Sequence, residues 1–206
     1  MNEGAAASSG AVLLFLHADT IVPRAAIERI PDALASRPRD VGGAFRFRVD
    51  SARRRYRVIE WGVALRCRWL GLPYGDQALF VLRDAFESLG GFRRFDVGED
   101  LDFVRRLRRL GPLLLLDEAA MTSARRWERG GFARTTLRNW ATLALFAVGL
   151  MKPRSAPVDQ SDGSLEHSPG SLHSVPAKNA GGIGARMASV ERPSGWLSRA
   201  RHAWRR

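Results

Sequence analysis

The chain has 206 residues, of which 33 are basic and 21 acidic, so its formal net charge is +12 at pH 7. Its hydrophobic share of 45% is that of a globular protein and excludes a wholly disordered chain. The single cysteine, Cys67, excludes an internal disulfide and a multi-cysteine metal site. The positive charge favours polyanionic partners, which include nucleotide diphosphates, anionic lipid head groups and nucleic acid, and does not choose among them.

Neither secretion nor membrane spanning is indicated by the apolar patterning. Residues 1–10 are small and polar and lack the basic start and apolar stretch of a secretory signal. The longest apolar run, residues 140–151, is shorter than the roughly 20 residues that cross a bilayer. We therefore expect a cytoplasmic protein in a reducing compartment, with at most a peripheral contact to the inner membrane.

The first half of the chain alternates predicted strands and helices. Residues 12–16 form a continuous apolar run, which predicts a buried strand that ends at a polar turn. Pro23 opens a predicted helix that contains Pro31. Residues 43–49 alternate apolar and charged side chains, as a strand with one solvated face does. Apolar residues between positions 52 and 70 recur every three or four residues, which predicts an amphipathic helix.

The second half continues this alternation. A short strand is predicted at residues 79–82, and the helix after it stops at Gly90. The remaining predicted elements are a helix from Glu99 to Leu110, a strand at 113–116, a second strand running to Trp127, and a helix at 132–150. Strands alternating with helices indicate an α/β architecture.

The composition changes after residue 150. Ser, Pro, Gly and His dominate as far as residue 184 without sustained periodicity, which predicts disorder. We therefore divide the chain into a folded domain, residues 1–150, and a low-complexity tail, residues 151–206. The Trp and Arg cluster at 196–206 would suit either a basic surface-binding helix or an untethered tail.

Two short polar motifs lie beside predicted strands. His17-Ala18-Asp19 follows the first strand, where a carboxylate points into the crevice that collects ligands and can hold a hard divalent cation. Gly75-Asp76-Gln77 precedes the strand at 79–82, and these residues offer close backbone approach and hydrogen bonds to sugar hydroxyls. Ordinary turns carry the same residue types, so each motif also has a purely structural interpretation.

Two further motifs come later in the chain. Glu99 and Asp100 are adjacent carboxylates at a helix start, where one of a close pair can act as a general base and both also suit amino-terminal capping. Arg126 offers a planar donor fork for phosphate, and Trp127 offers a flat face for a sugar or a nucleotide. Both would serve equally well as plain packing residues.

The four motifs, in this order, resemble family 2 glycosyltransferases of the glycosyltransferase A fold. The most similar branch is bacterial and carries Leu-His-Ala-Asp-Thr, which stands here at residues 16–20. The resemblance covers about residues 1–150 and implies a partial glycosyltransferase A type, Rossmann-like mixed sheet flanked by helices. It also implies inverting transfer of a sugar from a nucleotide diphosphate donor to a hydroxyl acceptor.

The resemblance also implies roles for the candidate residues. A divalent cation, magnesium or manganese, would lie at Asp19, with His17 in place of the family's first Asp. Asp100 would be the catalytic base, with Glu99 beside it. The substrate-binding candidates are Gly75, Asp76, Gln77, Arg126 and Trp127. The last two match the end of the family's Gln-X-X-Arg-Trp motif, in which Ser123 here replaces the Gln.

The amino end departs from the family pattern. Similar proteins begin with an extra strand, helix and strand that hold the nucleotide, whereas the first predicted strand here starts at Val12. We therefore expect an exposed apolar sheet edge and a marginally stable fold. The alternative function is that of a truncated, non-catalytic remnant acting as a binding or membrane-peripheral module. Nucleic-acid binding is disfavoured, because the Arg residues are scattered and no recognition helix or stacking platform stands out.

Overall fold

The protein is a mixed α/β structure built on one sheet. The computed structural model describes residues 1–95, 97–150 and the strand at 186–190. The strands are β1 Val12–Leu16, β2 Thr20–Ile21, β3 Gly42–Asp50, β4 Leu79–Leu82, β5 Leu113–Ser123 and β6 Arg186–Val190. Their order across the sheet is β2-β5-β3-β4-β1-β6. Five of these strands come from the first 123 residues, and β6 is added at the edge beside β1.

Helices flank the sheet. They are α1 Asn2–Ala7, α2 Arg24–Glu28, α3 Ile30–Ala35, α4 Arg55–Leu70, α5 Arg83–Ser88, α6 Glu99–Leu110, α7 Arg125–Gly130 and α8 Phe132–Ala147. A single 3-10 turn, Gly75–Gln77, precedes β4. The α/β architecture expected from the sequence is confirmed at this level. None of the helices in the described ranges is both long and apolar enough to cross a membrane.

Two local predictions were wrong. The helix predicted after Pro23 is divided into α2 and α3, because Pro31 has no N–H and suits the first turn of a new helix. The strand predicted to run to Trp127 ends at Ser123, and Trp127 lies on the short helix α7 instead. A register shift between β3 and β5 after Phe45 lets β5 extend over 11 residues as one strand.

Strand direction brings three loops to one edge of the sheet. β1 and β3 are each antiparallel to β4, and β3 is parallel to β5. The three strands β1, β3 and β5 therefore run the same way, and β4 runs against them. It follows that the carboxyl ends of β1 and β5 and the amino end of β4 lie at the same edge.

Both faces of the central strands are buried, as a continuous apolar run predicts. One core lies between the sheet and helices α5 and α6 and includes Leu13, Phe15, Val81, Phe86, Phe103 and Leu107. The opposite core lies under α2 and α3 and includes Leu14, Phe45, Phe80, Ile30 and Leu34. In a third cluster, side chains of α4, α7 and α8 pack against β3. It consists mainly of Phe47, Tyr56, Trp127 and Phe132.

The outer edge of β1 has a strand partner in this structure. β6 pairs with β1 in the antiparallel sense, from Val12 opposite Val190 to Leu16 opposite Arg186. This pairing corrects the expectation of an open apolar edge, because it gives β1 a neighbour on both sides. It also places one strand inside the segment predicted to be disordered. The other residues of that prediction, including the 196–206 cluster, lie outside the described part of the chain.

Candidate functional site

Backbone and threonine contacts join the loops at the shared sheet edge. The backbone N–H of Ser123 donates to the carbonyl of Asp19 at 2.9 Å, which ties the turn after β1 to the end of β5. The hydroxyls of Thr20 and Thr122 share a 3.0 Å hydrogen bond. Thr122 Oγ1 also donates to the carbonyl of Asp76 at 3.1 Å. The turn after β1, the end of β5 and the 3-10 turn are thereby held as one unit.

Helix α6 brings Asp100 to this unit. The Asp100 carboxylate accepts two backbone hydrogen bonds, from Gly75 N to Oδ2 at 2.8 Å and from Leu101 N to Oδ1 at 2.9 Å. Gly98, just before the helix, has a φ of +88°, a left-handed conformation that glycine adopts without strain. Because each carboxylate oxygen has a second lone pair, Asp100 is oriented and can still accept a proton.

His17 lies against the same glycine. A Cβ atom at Gly75 would lie 2.6 Å from His17 Nε2 and 3.1 Å from Asp100 Oδ2. These two polar atoms therefore flank one point, and a side chain at position 75 would require His17 to move. The structure thus brings together three motifs that are distant in sequence, namely those of His17, Gly75 and Asp100.

Asp76 is the titratable residue of the 3-10 turn, and its surroundings shift its pKa. Burial raises the pKa of its carboxyl group, and the charge of Asp100 raises it further, while Arg66, His17 and Arg126 lower it. Its Oδ1 atom is buried and has no hydrogen-bond partner among the described residues. A buried, unsatisfied carboxylate oxygen is costly, and such groups are concentrated at functional sites.

Glu99 adds a second perturbed carboxyl group beside Asp100. It is half-buried, and burial raises its pKa, with a further increase from the charge of Asp100. Adjacent carboxylates in unlike environments are the usual means of providing an acid and a base in one site. Glu99 is therefore a second carboxyl group at the start of α6, and its pKa is raised.

Arg66 and Tyr74 also belong to the site, and sequence reasoning gave them no role there. The Arg66 guanidinium lies 3.5 Å from the centroid of the Tyr74 ring. Burial raises the pKa of Tyr74 to about 12, so its phenol stays protonated at pH 7. Arg66 is one of four arginines on α4, so no pattern in the sequence distinguished it from the others. The stacking arises only because α4 packs beside the 3-10 turn.

Gln77 holds the turn from within the core. Its side chain is 1% exposed, and its Nε2 donates to the carbonyl of Phe45 at 3.0 Å. Its Oε1 accepts from the backbone N–H of Tyr74 and from Arg66 Nη2, each at 3.1 Å. Because Gln77 is buried and bonded to the backbone on both sides of its amide, it positions the 3-10 turn and is not exposed to a ligand.

Arg126 and Trp127 take opposite positions on α7. Arg126 is exposed, and its charge acts on Asp76. Trp127 is only 3% exposed, and its ring packs against Phe47 and Tyr56. The flat face predicted for a sugar or nucleotide is therefore part of the core, and only Arg126 of this pair is available to a ligand.

The donor set can hold a cation only together with other ligands. No three His, Cys, Asp or Glu side chains within the described ranges are grouped closely enough to form a metal site. His17 and Asp19 are carried by the same turn after β1. Mg²⁺ is usually bound by one or two carboxylates together with substrate phosphates and water. This turn offers one carboxylate, that of Asp19, so a cation here would need phosphate oxygens and water to complete its coordination.

Comparison with known proteins assigns neither a family nor a function to the chain. The chain matches no protein-family model, no curated protein and no solved structure. The functional proposal therefore depends on the chemistry of the edge at which β1, the 3-10 turn, α6 and α7 meet.

Proposed function

We propose that this protein is an inverting glycosyltransferase that transfers a sugar from a nucleotide diphosphate donor to a hydroxyl acceptor. The observation that carries the proposal is the convergence of His17, Gly75 and Asp100, with the buried carboxylate of Asp76 beside them. Such a transfer needs a base for the acceptor and positive charge for the leaving group, and both kinds of group meet at this edge. The mixed sheet flanked by helices is compatible with a partial glycosyltransferase A fold.

Asp100 is the base in this proposal. Its carboxylate takes the proton of the acceptor hydroxyl while the acceptor oxygen bonds to the anomeric carbon. The bond from that carbon to the diphosphate breaks on the opposite face, through a transition state with oxocarbenium character, and the configuration inverts. The hydrogen bonds from Gly75 N and Leu101 N hold the carboxylate in place during this step. Glu99 supports proton transfer from the adjacent position.

Positive groups receive the departing diphosphate. Arg126 is exposed at the site and provides a fork of N–H donors for phosphate oxygens. Asp19 and His17 would hold a magnesium or manganese ion, which supplies charge balance for the diphosphate when bound. Asp76 and Gly75 form the acceptor side, where a carboxylate and a close backbone suit sugar hydroxyls. We place this reaction in the cytoplasm.

Calorimetric titration tests the proposal. Nucleoside diphosphates are titrated into the full chain with magnesium or manganese present, and into the variants Asp19→Asn and Arg126→Gln. We expect metal-dependent heat for the native chain and a loss of roughly tenfold or more in affinity for each variant, because charged hydrogen bonds contribute on the order of 1.5–3 kcal/mol. Arg24→Gln on α2 is the matched control. Absence of heat at millimolar nucleotide would count against an active site here.

A non-catalytic binding module is the second candidate. The burial of Gln77 and Trp127 favours it, because two of the predicted substrate contacts are occupied by the core. The apolar side chains exposed on α4 and α8 favour it as well. Release of nucleoside diphosphate from a panel of nucleotide sugars, with and without hydroxyl acceptors, separates the two: a binding module gives heat without release.

A further inference from the structure

Helix α4 exposes an apolar stripe. Val58, Trp61, Leu65 and Trp69 are spaced by three, four and four residues, so they lie on one face of the helix. All four are exposed, and Trp69 is 77% exposed. Contiguous apolar surface of this kind marks an interaction site more often than chance exposure.

Helix α8 continues this surface. A Cβ atom at Gly62 of α4 would lie 3.5 Å from the Trp140 ring, so α8 meets α4 at this point. Trp140 itself is 52% exposed, and Leu137, three residues earlier on the same face of α8, is also exposed. We call these exposed apolar side chains the α4–α8 surface; its members are Val58, Trp61, Leu65, Trp69, Leu137 and Trp140.

The exposed charged residues of α4 and α8 are all positive. α8 contains no acidic residue, and the only acid of α4 is Glu60, which is buried and paired with Arg48 and Arg57. The exposed arginines on these helices are Arg55, Arg68, Arg134 and Arg138. A second copy of the same surface would bring like charges together, whereas an anionic surface would complement them.

A basic cavity lies at the carboxyl end of α8. It has a volume of about 270 Å³, and its lining includes Arg93, Arg105, Arg106 and Arg109, with Asp102 as the only acid among the described residues of the lining. Arg106 is occupied by Asp102 and by two backbone carbonyls. Arg93 lies 3.9 Å from the same Asp102, and Arg105 and Arg109 have no ion pair among the described residues. The guanidinium groups thus exceed the described acidic charge, so the cavity suits a phosphate group, which Arg binds through its planar fork.

We propose that the protein docks on an anionic lipid membrane, with the α4–α8 surface in the interface and a headgroup phosphate in the basic cavity. Trp side chains prefer the headgroup level of a bilayer, and arginines beside an apolar helix face add attraction to anionic lipid. Phe146 and Gly149, at the end of α8, line the basic cavity, so this helix connects the apolar and the basic parts. The proposal does not depend on the proposed sugar transfer.

Vesicle sedimentation tests this docking with the full chain. Vesicles of phosphatidylcholine alone are compared with an equal mixture of phosphatidylcholine and phosphatidylglycerol. We expect at least roughly tenfold stronger partitioning to the anionic vesicles, weakened by salt. The pairs Trp61→Ser/Trp69→Ser and Arg93→Gln/Arg109→Gln should each reduce partitioning by roughly tenfold or more. The control pair, Leu115→Ser/Arg24→Gln, changes one exposed apolar and one exposed basic residue elsewhere and should leave partitioning within about twofold of the native chain.

Three outcomes would overturn the docking proposal. The first is equal or absent binding to the two kinds of vesicle by a folded chain, with folding checked by circular dichroism. The second is inorganic phosphate binding that Arg93→Gln/Arg109→Gln abolishes while vesicle binding is absent, because the cavity would then serve a free anion. The third is a concentration-dependent dimer that Trp61→Ser/Trp69→Ser dissociates, because the α4–α8 surface would then join two copies.

Discussion

The backbone N–H of Gly75 donates a 2.8 Å hydrogen bond to Oδ2 of Asp100, and so links the 3-10 turn before β4 to the first turn of α6. The donor is a main-chain group, so this link depends on an acceptor at position 100 and not on the side chain at 75. An amide at position 100 can therefore keep the hydrogen bond from Gly75, while it loses the basicity and the second acceptor, which receives the N–H of Leu101. The role of Asp100 as a base can therefore be tested separately from its hydrogen bond to Gly75.

Asp100→Asn should abolish sugar transfer and leave the fold intact. Asn Oδ1 can still accept the hydrogen bond from Gly75, but the amide nitrogen cannot accept the bond from Leu101, so we expect thermal unfolding to show a loss of only about 1 kcal/mol in stability. Loss of a general base lowers the rate by about 10²- to 10⁴-fold. Release of nucleoside diphosphate measures the rate, and Asp84→Asn on the exposed face of α5 is the control. A fully active Asp100→Asn protein would remove Asp100 from the mechanism.

Gly75→Ala should displace His17. The added methyl group would lie 2.6 Å from His17 Nε2, and overpacking of this kind destabilises a protein by about 1–3 kcal/mol unless the neighbour moves. The double variant Gly75→Ala/His17→Ala should recover stability in urea unfolding and should not recover nucleotide binding. Gly62→Ala, where the nearest atom would be 3.5 Å away, is the control and should be neutral or stabilising. Equal destabilisation of the single and double variants would contradict this account.

Asp76→Asn should stabilise the protein at neutral pH. Burial raises the pKa of the Asp76 carboxyl group above its ordinary value of 3.8, so the folded state binds the proton more tightly than the unfolded state does. The native chain therefore loses stability as the pH rises from about 3.8 through the raised pKa. The amide removes this loss, so melting temperatures of variant and native chain should diverge as pH rises and converge near pH 3.8 and below. A difference that is independent of pH would contradict the assignment.

Glu60→Gln should weaken the packing of α4 on the sheet. Glu60 is 7% exposed, accepts a hydrogen bond from Val49 N at 2.8 Å, and pairs with Arg48 and Arg57 at 2.9 Å each. Both arginines are more than one third exposed, so we expect a loss of about 2 kcal/mol, below the range for a fully buried pair. Glu28→Gln removes one partner of the exposed Arg24 pair and should cost less than about 1 kcal/mol. Similar urea midpoints for the two variants would show that the ion pairs of Glu60 contribute no more to stability than the exposed Arg24–Glu28 pair.

Local patterns predicted most of the elements and the start of α6. A continuous apolar run predicts β1 because both of its faces are buried, and Gly98 followed by acidic residues predicts the start of α6 because the helix dipole favours negative charge there. The division of α2 from α3 was missed although Pro31 was visible in the sequence. The pairing of β6 with β1 was missed because it joins residues far apart in the chain, and no local pattern records such a partner.

The sequence by itself determined the class of fold and the residue types available for chemistry, because hydrophobic periodicity and polar turns are local properties. Only the tertiary structure decided which of those residues share a site. It buried Gln77 and Trp127, left Arg126 exposed, and placed His17 and Asp100 on either side of Gly75. The physical reason is that strand direction and packing set these distances, since β1 and β5 end at the edge where β4 begins.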